Sequence, residues 1–196
     1  MVKKGKSRGG RRLRIVAGEW RGRTLSFPDN PGIRPTPDRV RETLFNWLQP
    51  TISGALCLDL FAGSGALGLE ALSRGASHVD FVEFEQKSAQ AIGEHLELLK
   101  SDRGEVFRED AFIFLEKREL SPYSLIFLDP PFNRDMLEKV FILLERSELS
   151  PKLQLYIETE QGVDELEIPS DWVVARKGKA GQVRYMLLES KGREES

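Results

Sequence analysis

Residues 55–68 read ALCLDLFAGSGALG, a short apolar strand that runs directly into a loop rich in glycine. The loop matches the pattern G-x-G-x-x-G through Gly63, Gly65 and Gly68, and the helical pattern of residues 66–74 begins inside it. Glycines at these positions allow a ligand to approach the backbone closely. The strand, loop and helix therefore predict the first unit of an α/β sheet that binds a nucleotide-like ligand.

The alternation of strand and helix continues from this loop towards the C-terminus. Further strands are predicted at 78–84, 105–110, 123–129 and 153–159, with helices at 86–100, 111–118 and 136–146 between them. Such alternation indicates a parallel sheet that is covered by helices on both faces. Segments 171–177 and 182–189 follow without a helix between them, and they predict an antiparallel hairpin at one edge of the sheet.

Length and composition indicate one globular unit. The chain has 196 residues, 40% of them hydrophobic and 31% charged. No apolar run approaches the ~20 residues that span a bilayer, and the basic N-terminus lacks the apolar segment of a signal peptide. The single cysteine, Cys57, excludes an internal disulfide and suits a reducing cytoplasm. The sequence has only two histidines, His78 and His95, so a metal site made of Cys and His ligands is not expected.

Positive charge is concentrated at the N-terminus, where residues 1–24 hold nine Lys or Arg and one acidic residue. Residues 13–17 and 21–27 alternate apolar and basic side chains around Gly18, which predicts a hairpin. A helix follows, with Thr36 or Asp38 as its N-cap and Pro37 in its first turn. Such an arm is typical of proteins that bind a polyanion, although residues 1–10 alone could equally be a solvated tail.

The identity of the ligand depends on the acidic residues around the glycine loop. Glu83 ends the second strand of the sheet and could bind ribose hydroxyls, as in NAD sites. Asp59, however, precedes the loop on its own strand, where it would repel a pyrophosphate and attract a cation. S-adenosylmethionine carries a sulfonium, an ammonium and an adenosine, and it fits these residues better. Asp110 could accept a hydrogen bond from the adenine amino group, or could simply cap the helix that follows.

The segment DPPF, residues 129–132, follows the fourth strand of the sheet. Ligands of open α/β sheets bind at the carboxyl ends of the strands, so four acids are expected at one edge: Asp59, Glu83, Asp110 and Asp129. The Asp129 carboxylate and the Pro130 carbonyl could hold the two hydrogens of an exocyclic amine, because Pro130 and Pro131 stiffen the loop. Phe132 could stack on a flipped base.

With these motifs, the sequence resembles the class I S-adenosylmethionine-dependent methyltransferases. DLFAGSG is similar to their first motif, and DPPF to the motif of members that methylate amines. RIVAGEWRGR, RPTPDRVRETLFNWL and DLFAGSGALGLEALSRGA, followed by LDPPF, resemble more closely the bacterial 16S rRNA guanine-N2 methyltransferases that act at guanine 966, the RsmD family. This resemblance extends over residues 13–189.

The resemblance implies a seven-stranded Rossmann-like sheet of order 3-2-1-4-5-7-6 with the last strand antiparallel, and a monomer that acts on an assembling small ribosomal subunit. It implies an RNA-binding extension at 1–50, a methyltransferase domain at 51–190 and a tail at 191–196. Cofactor contacts are implied for Asp59, Phe61, Gly63, Gly65, Glu83, Asp110 and Ala111, and guanine contacts for Asp129, Pro130, Pro131 and Phe132. RNA contacts are expected at Arg12, Arg14, Arg21, Arg23, Arg34 and Arg39, with Thr36 and Thr43 near the cofactor or the RNA.

Other functions stay open at this stage. A methylase of adenine N6 or cytosine N4, in DNA or another RNA, would use the same motifs, although 196 residues leave little room for a separate target-recognition region. An NAD-dependent oxidoreductase is disfavoured by Asp59 and by the lack of a catalytic Tyr/Lys or His arrangement. A non-enzymatic RNA-binding module would use the arm alone.

Overall fold

The computed structural model describes residues 11–28, 36–131, 134–159 and 166–191. The strands are β1 Arg11–Arg14, β2 Thr24–Phe27, β3 Leu56–Asp59, β4 His78–Val82, β5 Gly104–Phe107, β6 Leu125–Leu128, β7 Gln154–Thr159, β8 Trp172–Ala180 and β9 Val183–Ser190. The helices are α1 Asp38–Trp47, α2 Ala66–Ser73, α3 Gln86–Leu99, α4 Ala111–Lys117 and α5 Arg134–Glu145. None of the helices in these ranges is long and apolar enough to cross a membrane.

Seven strands form one sheet in the order β5-β4-β3-β6-β7-β9-β8. The pairs from β5 to β7 are all parallel, whereas β9 lies antiparallel to both β7 and β8. Numbered within the sheet, this is the order 3-2-1-4-5-7-6, which confirms the expected Rossmann-like architecture and the antiparallel hairpin at its edge. The carboxyl ends of β3, β4, β5, β6 and β7 consequently meet at one edge of the sheet, called the carboxyl edge below.

The sheet is apolar on both faces because helices cover both. Every residue of β6 is buried, as expected for a central strand of a parallel sheet. On α3, the predicted apolar face of Ala89, Ile92, Leu96 and Leu99 is buried. Cys57 is buried within β3, which confirms its assignment to the core, and burial raises the pKa of its thiol far above the usual value.

The predicted N-terminal hairpin is present, with β1 and β2 antiparallel and Leu13 paired with Leu25. Both leucines and Phe27 are buried in the same apolar cluster as α1 and one face of the sheet. Ser26 also contributes, because its carbonyl lies 3.0 Å from Nε2 of His95 on α3. The hairpin is therefore packed on the sheet domain and shares its core.

A buried ion pair joins the hairpin to the first helix after the glycine loop. The carboxylate of Glu70 on α2 is fully buried, and it accepts hydrogen bonds from the backbone N–H of Val16 at 2.8 Å and of Ala17 at 3.0 Å. The guanidinium groups of Arg41 and Arg74 contact it at 3.4 Å and 2.8 Å. Four partners thus compensate the cost of removing this charge from water.

Arg41 of α1 is the other half of this pair, and only 1% of it is exposed. Its Nη2 donates to the Arg14 carbonyl at 2.8 Å and to Asp38 Oδ1 at 2.6 Å, and its Nε donates to the Thr36 carbonyl at 3.2 Å. One side chain therefore fixes β1, the start of α1 and the segment before it. This role of Arg41 was not predicted from the sequence.

The start of α1 differs from the prediction. The N-cap residue is Pro37, with no side-chain hydrogen bond to the helix, so neither Thr36 nor Asp38 is the cap. Asp38 is the first helical residue and binds Arg41, while the Thr36 hydroxyl binds Glu158 in β7. Both side chains therefore make contacts other than a helix cap, and the partner of Thr36 is distant in sequence.

The third glycine of the loop, Gly68, allows α2 to lie against β4. A Cβ atom at this position would be 2.2 Å from Cε1 of Phe81, which is far inside van der Waals contact. A larger residue at this position would require Phe81 or helix α2 to shift. The glycine is therefore required for packing between helix and strand.

We expect Gly68→Ala to lower the free energy of unfolding by about 1–3 kcal/mol, because the added methyl group forces Phe81 or α2 to shift. Denaturant unfolding measures this change. Gly93→Ala on α3 is the matched control, since nothing lies within 4 Å of the added Cβ. That control should stabilise the protein by about 0.5–1 kcal/mol through helix propensity, and equal effects at both sites would contradict the packing role of Gly68.

Candidate functional site

Five carboxyl groups lie along the carboxyl edge of the sheet. Asp59 is the last residue of β3, and Glu83 and Asp129 directly follow β4 and β6. Asp110 follows β5 and is the N-cap of α4, as the sequence allowed. The fifth, Glu158 in β7, was missed. It stands at the end of a buried strand as the other acids do, and this position was the available signal.

The glycine loop is hydrogen-bonded to the Glu83 carboxylate. The Glu83 carboxylate accepts a hydrogen bond from the Gly63 N–H at 2.7 Å and one from the Glu85 N–H at 2.7 Å. The Gly65 N–H donates to the Ala62 carbonyl at 2.6 Å, and both glycines have positive φ, +54° and +77°. These N–H groups already have acceptors, so the loop does not offer them to a phosphate.

Asp59 lies beneath the loop and is only 2% exposed. It accepts a hydrogen bond from the Gly68 N–H at 3.0 Å. Burial raises the pKa of its carboxyl to about 7, and the negative charges of Glu83 and Glu158 add to this shift. Burial also raises the pKa of Glu83. A bound cation would relieve this crowding of carboxyl groups, whereas an anionic pyrophosphate would increase it.

The first turns of α4 and α3 also lie at the carboxyl edge. The Asp110 carboxylate accepts from the N–H of Phe112 at 2.9 Å and of Ile113 at 3.2 Å, which places the buried Ala111 in the first turn of α4. Phe61 is partly buried against the neighbouring apolar cluster. Glu85 caps α3 by accepting from the Ser88 N–H at 2.7 Å, which assigns it a structural contact.

Phe84, between Glu83 and Glu85, is an apolar residue that the sequence analysis overlooked. Its side chain is 75% exposed at the carboxyl edge. The preceding residues of β4, Phe81 and Val82, are buried, whereas Phe84 lies past the end of the strand and outside the core. An exposed aromatic ring beside the glycine loop is suited to contact a planar ligand group.

Asp129 begins the DPPF segment. Burial raises the pKa of its carboxyl well above the usual value, and Glu158 and then Asp59 raise it further, while a hydrogen bond with the Thr36 side chain opposes the shift. Pro130 is buried and Pro131 is exposed. The structure thus brings Asp129 close to Asp59, as expected. Phe132 lies outside the described residues.

A buried polar cluster supports Asp129. The Thr36 hydroxyl donates to Glu158 Oε1 at 2.7 Å, and the Tyr156 hydroxyl donates to the same oxygen at 2.9 Å. Thr36 is 4% exposed, Glu158 3%, and Tyr156 is fully buried. Thr36 was expected near the cofactor or the RNA, and the structure places its hydroxyl against Glu158 at the carboxyl edge. The Thr43 hydroxyl instead donates to the Arg39 carbonyl of its own helix at 2.9 Å.

The arginines predicted to contact RNA are exposed where they are described. Arg12 and Arg14 flank the buried Leu13 on β1, Arg21 and Arg23 lie beside the hairpin turn, and Arg39 lies on α1. Arg14 is partly neutralised, because its Nε lies 3.3 Å from Asp38. Arg34 lies outside the described residues.

A second basic region, which the sequence analysis missed, lies at the end of the β8–β9 hairpin. Strand β8 carries the exposed side chains of Arg176, Lys177 and Lys179. Arg184 of β9 pairs with both Lys179 and Thr159. Because β8 and β7 both run antiparallel to β9, this end of the hairpin lies at the carboxyl edge. The pairing of Arg184 with Thr159 places it one residue from Glu158. We call Arg176, Lys177, Lys179 and Arg184 the basic edge.

One cluster has possible metal ligands among the described residues. Ligand atoms of His78, Asp80 and Glu105 lie within 4.8 Å of one another. The Tyr123 hydroxyl donates to Asp80, and His78 Nε2 lies 3.1 Å from the same carboxylate. The cluster begins at the amino end of β4, away from the glycine loop.

Known proteins are similar to this chain over most of its length. The family model described as conserved hypothetical protein 95 matches residues 13–189. "Ribosomal RNA small subunit methyltransferase D" of Escherichia coli K12 is 44% identical over 196 residues, covering 100% of this chain and 98% of that protein. The protein of the same name in Haemophilus influenzae is 42% identical over 182 residues, covering 91% and 94%. The solved structure "Putative methyltransferase yhhF from Escherichia coli" has a TM-score of 0.85 at 44% identity, covering 93% of this chain and 99% of that one.

The raised pKa of Asp59 predicts a pH-dependent stability. A carboxyl whose pKa is higher in the folded than in the unfolded state stabilises the fold at low pH, and this contribution is lost as the pH rises towards about 7. Between about pH 5 and pH 8, Asp59→Asn should gain roughly 2–3 kcal/mol of stability relative to wild type. Unfolding curves at several pH values test this, with the exposed Asp102→Asn as control. A constant difference across this range would contradict the raised pKa of Asp59.

Proposed function

Since the chain belongs to the conserved hypothetical protein 95 family and to the family of ribosomal RNA small subunit methyltransferase D, we propose that it is an S-adenosylmethionine-dependent rRNA methyltransferase. Its product is N2-methylguanosine in 16S rRNA, at the guanine-966 site. The observation that carries this proposal is the arrangement of Asp59, Glu83 and Asp129 around the glycine loop. A cationic methyl donor and an amine would meet beside these carboxyls.

The glycine loop and its acids fit S-adenosylmethionine. The N–H groups of Gly63 and Gly65 already have acceptors, and Asp59 and Glu83 have raised pKa values, which disfavours a pyrophosphate and favours a cation. When bound, this cofactor supplies an activated methyl group. Glu83 would accept from ribose hydroxyls. Asp110, Ala111 and the exposed Phe84 would surround the adenine.

Asp129 and Pro130 would prepare the amine. The lone pair of an exocyclic amine is delocalised into the base, so the amine is a weak nucleophile until its hydrogens are held out of the ring plane. The Asp129 carboxylate and the Pro130 carbonyl would accept those two hydrogens. Pro130 is buried and its φ is restricted by the ring, so these acceptors do not have to reorganise during the reaction. Phe132 would stack on the base.

Two basic regions, the N-terminal arm and the basic edge, would hold the RNA. The N-terminal arm would supply Arg12, Arg14, Arg21, Arg23, Arg34 and Arg39, and the basic edge lies on the last two strands of the sheet. Contacts to phosphates from both regions would compensate the negative charge of the carboxyl edge. Residues 1–50 would thus form the RNA-binding extension, 51–190 the catalytic domain and 191–196 the tail.

The biological substrate is proposed to be 16S rRNA within an assembling small subunit, methylated by a monomer in the cytoplasm. The relatives named above carry the words "small subunit" in their names. A second candidate is the methylation of an exocyclic amine in another RNA or in DNA, since the DPPF segment itself does not select guanine.

Methyl-labelled S-adenosylmethionine and unmodified small-subunit particles test the activity directly. Digestion of the rRNA to nucleosides should place the label in N2-methylguanosine. Asp129→Ala should reduce turnover by about 100-fold or more while cofactor affinity changes little, because one preorganised acceptor is removed. Asp102→Ala, an exposed residue, should leave turnover unchanged. Label in a different nucleoside would overturn the guanine assignment, and full activity of Asp129→Ala would overturn the role of Asp129.

The salt dependence of RNA binding tests the two basic regions. Replacing Arg12, Arg21 and Arg23 by Gln should reduce the slope of log Kd against log salt by about one for each phosphate that is no longer neutralised. The same is expected for Arg176, Lys177 and Lys179. Lys100, Lys152 and Lys191 lie at the opposite edge of the sheet, and their triple Gln variant is the charge-matched control. A slope equal to that of the control would exclude the region concerned from the RNA interface.

A further inference from the structure

We propose that Thr36 and Glu158 are positioning residues for Asp129: the Thr36 hydroxyl bridges the two carboxyl groups, which share one proton, and Glu158 takes that proton when Asp129 must accept from the amine. This inference rests on the proposed function, because it concerns the carboxyl that would hold the substrate amine. It assigns a role to Thr36, which precedes α1, and adds to the site Glu158, which lies 122 positions from Thr36 in sequence.

The geometry of the bridge is set by two hydrogen bonds and by the register of β6 and β7. Thr36 Oγ1 lies 2.7 Å from Glu158 Oε1, and the Tyr156 hydroxyl lies 2.9 Å from the same oxygen. Asp129 lies beside Glu158, because Leu128 of β6 pairs with Ile157 of β7, and the Thr36 side chain also interacts with the Asp129 carboxyl. Thr36, Tyr156 and Glu158 are all buried, so water does not replace the protein contacts.

A count of hydrogens then limits the charge of the pair. A threonine hydroxyl has one hydrogen, so it can donate to only one of two carboxylates. If both were ionised, the other carboxylate would face the lone pairs of the hydroxyl oxygen. With Thr36 donating to Glu158, Asp129 can instead donate its own proton to the Thr36 oxygen. One proton on the pair therefore satisfies every partner.

The same contacts provide a route by which that proton can move. The O–H bond of Asp129 breaks as its proton passes to the Thr36 oxygen, and the Thr36 proton passes to Glu158 Oε1. Asp129 becomes a carboxylate, Glu158 becomes neutral, and Thr36 is again a hydroxyl that now donates to Asp129. No proton is gained or lost, and the ionised carboxylate faces the amine hydrogens.

The surroundings favour a single negative charge. The groups that face the pair are Asp59 from β3 and Tyr156 from β7, with Tyr185 of β9 behind Tyr156. Each is neutral or negative. Arg41 donates to the Thr36 carbonyl at 3.2 Å, but its charge is already shared by Glu70 and Asp38. Burial is the largest cause that raises the pKa of both Asp129 and Glu158.

Carbon-13 NMR of the carboxyl groups in the protein without cofactor or RNA is the first test. In wild type, the Asp129 carbon should titrate in two steps that it shares with Glu158. In Glu158→Gln, which keeps an acceptor for Thr36 and Tyr156, Asp129 should titrate in one step, about one pH unit or more below the upper wild-type step. Identical titration of Asp129 in both proteins would overturn the proposal. This readout does not depend on any RNA substrate, so it separates the proposal from the proposed function.

Turnover provides the second test. Thr36→Val should reduce kcat by about 10-fold, as expected when one hydrogen bond to a catalytic group is removed, and leave cofactor affinity unchanged. Thr36→Ser restores the hydroxyl and should restore kcat. The acid limb of the kcat profile of Glu158→Gln should move to lower pH. If Thr36→Ser were as slow as Thr36→Val while both melt at the wild-type temperature, the bridge would be rejected. If Thr36→Val does not fold, Thr36→Ser and the Glu158→Gln titration still decide the question.

Discussion

The buried ion pair between Arg41 and Glu70 is the contact on which the placement of the functional residues depends. Glu70 belongs to the helix that begins at the glycine loop, and Arg41 belongs to the helix that follows the N-terminal arm. Because two buried charges are stable only with all their partners in place, the pair fixes the hairpin backbone at Val16 and Ala17 and the carbonyl of Thr36 together. The same ion pair therefore stabilises both the arm that would bind RNA and the loop that would bind the cofactor.

Repulsion among carboxyl groups is the second constraint, and it gives the carboxyl edge its chemistry. Five acids end neighbouring strands, and burial raises the pKa of Asp59, Glu83, Asp129 and Glu158. Neutralising a few of them by protonation, or balancing them with a cation, makes this arrangement stable. A methyl donor with positive charge supplies such a balance. A site with these carboxyl groups favours a cationic ligand over an anionic one.

The fold could be predicted from the sequence because its signals are local. The strand–helix alternation, the glycine loop and the apolar face of α3 are patterns within a few residues, and the sheet order followed from a resemblance that extended over residues 13–189. The roles of Thr36, Arg41 and Glu158 could not be predicted, because each depends on partners 29 to 122 positions away. Local rules assigned Thr36 or Asp38 to a helix cap, but the Thr36 hydroxyl binds Glu158 and the Asp38 carboxylate binds Arg41. The contacts of Phe132 and Arg34 stay predictions.

The basic edge has a consequence for how this protein behaves in concentrated solution. Strand β8 is the last strand of the sheet, so one side of its backbone is not paired within the sheet, and such an edge can recruit a strand from another molecule. Arg176, Lys177 and Lys179 place positive charge along this strand, and the register shift between Val174 and Arg176 interrupts its regular pairing. Two copies that approached edge to edge would bring like charges together. The same side chains that would attract a nucleic acid therefore oppose aggregation through the sheet, and removing them would expose a strand able to seed it.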